Sequence, residues 1–134
     1  MTALRFECLE PIKTPLVNKF YDQYKARGRA TRQDQVWVVY NDLVIVAACR
    51  IQNRSDYLFL STLLVAPAWR GQGIAKKLLI HTLSNQNSLV YTFAYNYLAD
   101  FYQSIGFNFV LTLPPPLDTL FTVYQQRNIV AMQC

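Results

Sequence analysis

The chain has 134 residues, which suits one domain that buries roughly two-thirds of its unfolded surface in a single core. Apolar residues make up 52% and charged residues 16%, a balance that excludes a disordered chain, while the formal charge of +5 suits an anionic ligand without identifying one. The longest apolar run, residues 43–49, falls far short of the roughly 20 residues that span a bilayer. Acids near the N-terminus stand where a signal peptide carries its apolar stretch. The expectation is a single cytoplasmic domain over residues 1–134 with no membrane partner.

Residues 5–8 read as a short first strand. Thr14 then stands as a helix cap with Pro15 at the first helical position, and the helix runs to about Lys25 with Leu16, Val17, Phe20 and Tyr24 on one face. Lys25, Arg27, Arg29 and Arg32 crowd four positive charges around Gly28. Such a run reads first as a solvated loop and second as a contact for an acidic partner or a cofactor phosphate. Nucleic acid is the weakest reading, because the patch is short and no helix-turn-helix or finger spacing accompanies it. Residues 36–40 and 43–52 are rich in β-branched and aromatic side chains and read as strands, with Asn41-Asp42 as a hairpin turn between them. Residues 53–56 make a second turn and residues 57–65 a third antiparallel strand.

That strand leads into the most informative stretch, residues 65–79, VAPAWRGQGIAKKLL. Two of the chain's four glycines, Gly71 and Gly73, lie here. Glycine takes positive φ and leaves the main chain open to a ligand. A helix start adds unpaired N–H groups and the positive end of a dipole. Strand, loop and helix together read as an anion cradle, suited to a pyrophosphate. The loop lacks the third glycine of a G-x-G-x-x-G dinucleotide turn, and no Gly-Lys-Ser/Thr occurs to make a Walker loop.

In the helix that follows, Ile74, Ala75, Leu78, Leu79, Thr82 and Leu83 share a face, with Lys76, Lys77 and His81 outside it. Residues 89–94 form the next strand. A short helix over residues 97–105 presents Leu98, Phe101, Tyr102 and Ile105, with Gly106 as its C-cap. Residues 107–113 continue as strand, Pro114 to Pro116 end the sheet, residues 117–126 are helical, and residues 129–132 form a last strand. The pattern is a single-domain α/β (α+β) fold with a mixed, mostly antiparallel sheet flanked by helices. Cys8, Cys49 and Cys134 are too widely spaced for a ligand or disulfide pattern and read as free thiols. With His81 the sole histidine, no metal site is expected.

Arg70-Gly71-Gln72-Gly73-Ile74-Ala75 resembles the R/Q-x-x-G-x-G/A signature of the GCN5-related N-acetyltransferase superfamily. Its flanks agree, with Leu63-Leu64-Val65 ending a strand and Pro67 three residues before the arginine. Further on, the segment from Asn96 through Ala99, Phe101 and Tyr102 to Gly106-Phe107 resembles that family's N-x-x-A-x-x-F/L-Y-x-x-x-G-F segment. The resemblance implies acetyl-CoA, or another short acyl-CoA, as cofactor, and a sheet splayed between the strands before and after the Gly loop. It implies backbone groups of Leu64 and Val65 on the pantetheine arm, as an added strand would place them. Main-chain N–H groups of Arg70, Gly71, Gln72, Gly73, Ile74 and Ala75 would face the pyrophosphate, Arg70 either forming the turn or holding a phosphate oxygen. The plainer reading of both glycines is an ordinary strand-to-helix turn. Tyr102 takes the position of the acid that protonates the departing sulfur; its plainer reading is a core aromatic. Asn96 has two readings, a donor to a pantetheine carbonyl or water and an N-cap of the helix after it.

The base is where the chain departs from the family. Many members carry a Glu on the strand before the Gly loop, whereas residues 57–63 here read YLFLSTL. Ser61 and Thr62 can only order a water, Asp56, Glu7 and Glu10 read as remote bases or, more plainly, as exposed surface carboxylates, and His81 is expected to face outward. A lysine-type amine, with pKa about 10.4, is neutral in fewer than about one molecule in a thousand at pH 7, while an α-amino group near about 8 needs less help. The expected function is direct transfer of acetyl from acetyl-CoA to a primary amine of a small molecule or peptide. A cysteine relay is disfavoured because neither motif holds a Cys. The alternative is an acetyl-CoA-binding regulatory or interaction module, and exposed aromatics would also suit a homodimer.

Overall fold

The computed structural model describes residues 3–54 and 56–134. In chain order it contains β1 (Leu4–Leu9), α1 (Thr14–Gln23), β2 (Gln35–Asn41), β3 (Val44–Arg54), β4 (Tyr57–Val65), α2 (Ile74–Ser84), β5 (Val90–Tyr95), α3 (Ala99–Ile105), β6 (Asn108–Phe109), α4 (Pro115–Tyr124) and β7 (Ile129–Gln133). The seven strands form one sheet in the order β1-β2-β3-β4-β5-β7-β6. Every neighbouring pair is antiparallel except β4 and β5. Those two are parallel and meet only at Leu58–Val90 and Phe59–Tyr91. Beyond Phe59 they part, which is the expected splay.

β2 and β3 are almost continuously apolar because both faces of the sheet are covered. Val36, Val38, Tyr40 and Ala48 face α1, where they pack with Val17, Phe20 and Tyr21. Alternate residues Trp37, Val39, Cys49 and Ile51 face the opposite way, onto Leu78 and Leu79 of α2 and Tyr102 of α3. The period-2 alternation of the strands thus divides one apolar segment between two cores. Among the described residues no helix is long and apolar enough to cross a membrane.

Several local expectations shift. Thr14 is no cap: a 3-10 turn at Pro11–Lys13 starts the helix early, and the Thr14 hydroxyl donates to the Pro11 carbonyl at 2.6 Å. The buried face of α1 is Val17, Phe20 and Tyr21, while Leu16 is exposed. The β2–β3 turn slips to Asp42-Leu43, because Asn41 pairs with Val44 and Asp42 takes the positive φ that aspartate tolerates. Asn53 and Arg54 extend β3; Ser55 of the next turn lies outside the described residues. His81 packs edge-on against Trp37 and beside Phe6, with ring centroids 5.4 and 6.0 Å away, so it faces the sheet. The strand expected over residues 107–113 shrinks to Asn108–Phe109, the only residues that register with Gln133 and Met132 of β7. Pro115 and Pro116 open α4, a position where a missing N–H costs nothing.

Candidate active site

The register between β3 and β4 breaks after Ala48, which pairs with Leu64, and resumes at Arg50, which pairs with Ser61. Thr62 and Leu63 therefore oppose Cys49 alone, which makes a bulge. Thr62 sits at φ 55°, an outlying conformation for a β-branched residue. Tertiary contacts hold it there. Arg50 Nε donates to Thr62 Oγ1 at 2.8 Å and Arg50 Nη1 to Asp34 Oδ2 at 3.0 Å. The Arg50 and Asp34 side chains are only 12% and 8% exposed. Gly28 closes over this group so tightly that a Cβ there would lie 3.1 Å from Thr62 Oγ1 and 3.2 Å from Arg50 Nη2.

The bulge resets which backbone groups face the splay. The Ala66 N–H donates to the Val46 carbonyl at 2.8 Å. Alternation along an antiparallel pair then commits the polar groups of Leu64 to Ala48 on β3. Those of Leu63 and Val65 turn to the other edge, where β5 has departed. The Val65 carbonyl accepts from Arg70 Nε at 3.0 Å. Arg70 thus ties the loop back onto the end of β4.

A cavity of about 490 Å³ occupies the splay, walled by residues 59–64 of β4 and 92–95 of β5, with Leu98 and Tyr102 beside them. Tyr102 is 7% exposed and packs edge-on against Phe101 and Phe107, at centroid distances of 5.2 and 5.5 Å. It is both a core aromatic and a cavity wall, so its two readings do not exclude each other. Burial pushes its phenol up to about 12, with the nearby Cys49 thiol adding to the shift. Asn96 is exposed, in a 3-10 turn at Asn96–Leu98, with its N–H donating to the Asn128 carbonyl at 2.8 Å. No side-chain bond caps that turn or α3, which removes the capping reading. The wall there is formed by Tyr95 and Leu98.

The Gly loop lines a separate hollow of about 220 Å³. Gly71 and Gly73 take φ of 78° and 76°, and a Cβ on either would have nothing within 4 Å. Their space is open to a ligand. Gly73 is the N-cap of α2, no side chain caps the helix, and the first backbone bond is Lys77 N–H to the Gly73 carbonyl. The amides of Ile74, Ala75 and Lys76 are therefore the unpaired first-turn donors. Arg70, Gly71, Gly73, Ile74 and Ala75 line the hollow together with Trp69, Lys76 and Phe101; Gln72 is exposed and off its wall. Counting from Gly73 as the cap would have placed Lys76 in the first turn.

Residues 32–109 match the family model described as the acetyltransferase (GNAT) domain. The chain belongs to the GNAT acetyltransferases. Both the Gly loop and Tyr102 fall within the matched span. The fold of this GNAT domain is shared with Escherichia coli ElaA at TM-score 0.70 and 17% identity, covering 96% of this chain and 98% of that one. It is shared with Arabidopsis thaliana Naa50 in complex with a bisubstrate analogue, at TM-score 0.68 and 18% identity over 98% and 97% of the two chains. N-acetylglutamate synthase from Neisseria gonorrhoeae, complexed with coenzyme A and N-acetyl-glutamate, matches at TM-score 0.66 and 15% identity, over 99% of this chain and 35% of that one. No curated protein sequence matches the chain.

Two wall residues of this GNAT domain, Arg27 and Arg127, are not singled out by the sequence. Among the described residues no carboxylate lines the cavity, whereas Arg27, Tyr124 and Arg127 do. Arg27 was visible only as one member of a basic run. Arg127 carried no signal, since its place depends on β7 entering the sheet beside β5. Among the described residues no group of three or more His, Cys, Asp or Glu side chains is placed to hold a metal ion.

Proposed function

We propose that the protein is an acyl-CoA-dependent N-acetyltransferase that moves acetyl directly from acetyl-CoA, or another short acyl-CoA, to a primary amine. The observation that carries this reading is the meeting of two hollows on one strand edge: Val65 lines the Gly-loop hollow and the adjacent Leu64 lines the Tyr102 cavity. A pyrophosphate fits the open space over Gly71 and Gly73, against the free amides of Ile74, Ala75 and Lys76. A pantetheine arm fits the vacated edge of β4, with the Val65 N–H and the Leu63 groups as its partners. Leu64 offers its side chain there and keeps its backbone on β3. Gln72 and Asn96 would act only at the margins of such a ligand.

Bound acetyl-CoA supplies an activated acyl group as a thioester. The Tyr102 phenol holds its proton across the neutral range and gives it to the sulfur as the C–S bond breaks and the N–C bond forms. The amine loses its own proton to solvent and solvent returns one to the Tyr102 phenolate, so the net products are an amide and a thiol. With no carboxylate on the cavity wall, the amine must arrive neutral. Substrates held together in the splay supply much of the rate by proximity. The Neisseria and Arabidopsis complexes contain a small acetylated amino acid and a CoA–peptide analogue, which supports a small-molecule or peptide amine as acceptor here.

Titration with acetyl-CoA, desulfo-CoA and free CoA while following thermal stability tests the cofactor; failure of all three to raise the melting temperature overturns the reading. Tyr102→Phe tests the acid. It is expected to lower kcat by about 10²-fold or more while acetyl-CoA affinity is kept, and an unchanged kcat on an accepted amine removes the role. The missing carboxylate favours a second reading, a regulatory module that binds acetyl-CoA without catalysis; tight binding with no acetylation across a broad panel of amines and peptides would support it.

A further inference from the structure

We propose that the acceptor is an amine that also carries a carboxylate, and that Arg27 and Arg127 bind that carboxylate; this rests on the acetyltransferase reading of the cavity. Arg27 lies in the loop after α1 and Arg127 in the 3-10 turn Gln125–Arg127 before β7, yet both line the same cavity. Among the described residues they are the cavity's cationic side chains, and no Asp or Glu lines it. Among the described residues neither arginine has an ion-pair partner: the pairs present are Arg5–Glu7, Lys13–Glu10, Arg29–Asp22 and Arg50–Asp34. Within the basic run, Arg29 is tied to Asp22 while Lys25 and Arg32 lie off the wall, which singles out Arg27.

Arg127 is also held in place. Its guanidinium carbon sits 4.6 Å from the centroid of the Tyr124 ring, another wall residue. Stacking through the face leaves the N–H edge free for a planar anion, the geometry in which arginine binds carboxylate best. The remaining wall is largely apolar and aromatic, including Phe59, Phe93 and Leu98. An apolar cavity with a few convergent polar groups is the usual form of a small-ligand site.

The same two cations address the missing base. A positive charge near an amine disfavours its ammonium form, so the arginines lower the acceptor's pKa while they hold its carboxylate. A polyamine or lysine-rich acceptor would meet repulsion instead.

The test compares acceptors on the acetyl-CoA-bound protein: L-glutamate and L-aspartate, L-glutamine amide and L-asparagine amide as their neutral counterparts with both carboxyls amidated, peptides beginning with Asp or Glu, and putrescine. Acid acceptors are expected to exceed their neutral counterparts by about ten-fold or more in kcat/KM. Arg27→Gln and Arg127→Gln, both at exposed positions, are expected to erase most of that ratio, while Arg32→Gln leaves it. Free amino acids outpacing the peptides makes the ligand a small molecule; the reverse makes it a peptide side chain, and either outcome supports the carboxylate. Acetylation that favours putrescine or the amides, or a ratio unmoved in both arginine variants, overturns the proposal and leaves the acetyltransferase reading standing. Where turnover is too slow to follow, melting of the CoA-bound protein decides. Stabilisation by the acids that is lost in Arg127→Gln supports the proposal, and no stabilisation by any of them overturns it. Failure to bind any CoA species overturns the acetyltransferase reading itself.

Discussion

The Gly-loop hollow and the Tyr102 cavity meet at Leu64 and Val65, yet they are built in opposite ways. The hollow comes from one short stretch, residues 65–76, with Phe101 as its only distant wall, and its donors are backbone amides. The cavity draws on four distant stretches, residues 26–27, 59–64, 92–102 and 124–129, and its distinguishing groups are side chains. Backbone donors suit a ligand portion that varies little, because they depend on chain path more than on residue identity. Side chains brought from distant loops can vary independently of the fold. On the proposed reading a CoA cofactor falls to the hollow, and what is particular to this chain to the cavity.

The largest expected effect breaks the cavity at its scaffold. Arg50 links Asp34 to the Thr62 bulge, and both charged side chains are nearly buried. Arg50→Ala leaves the Asp34 charge buried without its partner and the bulge without its tie, at a cost of about 3–5 kcal/mol of stability. Denaturant unfolding measures this; a loss below about 1 kcal/mol, the range of exposed pairs, would show that the bulge holds its shape unaided.

The next effect tests the hollow. Gly71→Ala and Gly73→Ala put a side chain on backbone at φ 78° and 76°, which costs about 1–2 kcal/mol each. Their Cβ atoms would meet no protein atom within 4 Å, so no packing term adds to the strain. The new methyl groups would instead stand in the ligand's space. Acetyl-CoA affinity is expected to fall further than stability alone explains, with acceptor preference unchanged. Calorimetric titration checks the first point and competition between two acceptors the second.

The same contrast explains how much could be read beforehand. The Gly loop and the Tyr102 helix were legible because their signals are consecutive or periodic: two glycines before an apolar helical face, and Phe101-Tyr102 ahead of Gly106. The antiparallel order of the early strands followed from short turns. The cavity's other half was hidden because non-local pairing decides it. β7 slots between β5 and β6, which shortens the strand expected after Phe107 and carries Arg127 to the wall. Thr62 at positive φ runs against its own propensity and exists only because Arg50 reaches it from β3. Helical periodicity puts His81 on the outward side, but Trp37 and Phe6 offer it an aromatic surface. Local pattern misses whatever a distant side chain supplies.

The smallest effect is absent at neutral pH and appears only in alkali, where it separates the buried wall of the cavity from the solvent-facing loop. Burial holds both the Tyr102 phenol and the Cys49 thiol up to about 12, from ordinary values of 10.0 and 9.0. Below about pH 8 both groups keep their protons in the folded and unfolded chains, and stability does not depend on them. As pH rises through 9 and 10 the unfolded chain releases these protons first, while the folded chain holds them to about 12. Unfolding then releases protons, so stability falls with rising pH across that window. Tyr102→Phe is expected to flatten the fall, and Gly73→Ala to leave its slope unchanged because the Gly loop carries neither group. Thermal melts at pH 8 and pH 10 distinguish the two. Turnover sharpens the same point: Tyr102 remains protonated throughout that interval, so kcat should rise as the amine becomes neutral and then level off, with no alkaline decline. A decline between pH 8 and 10 would mean that the proton given to the thiolate comes from a more acidic group than Tyr102.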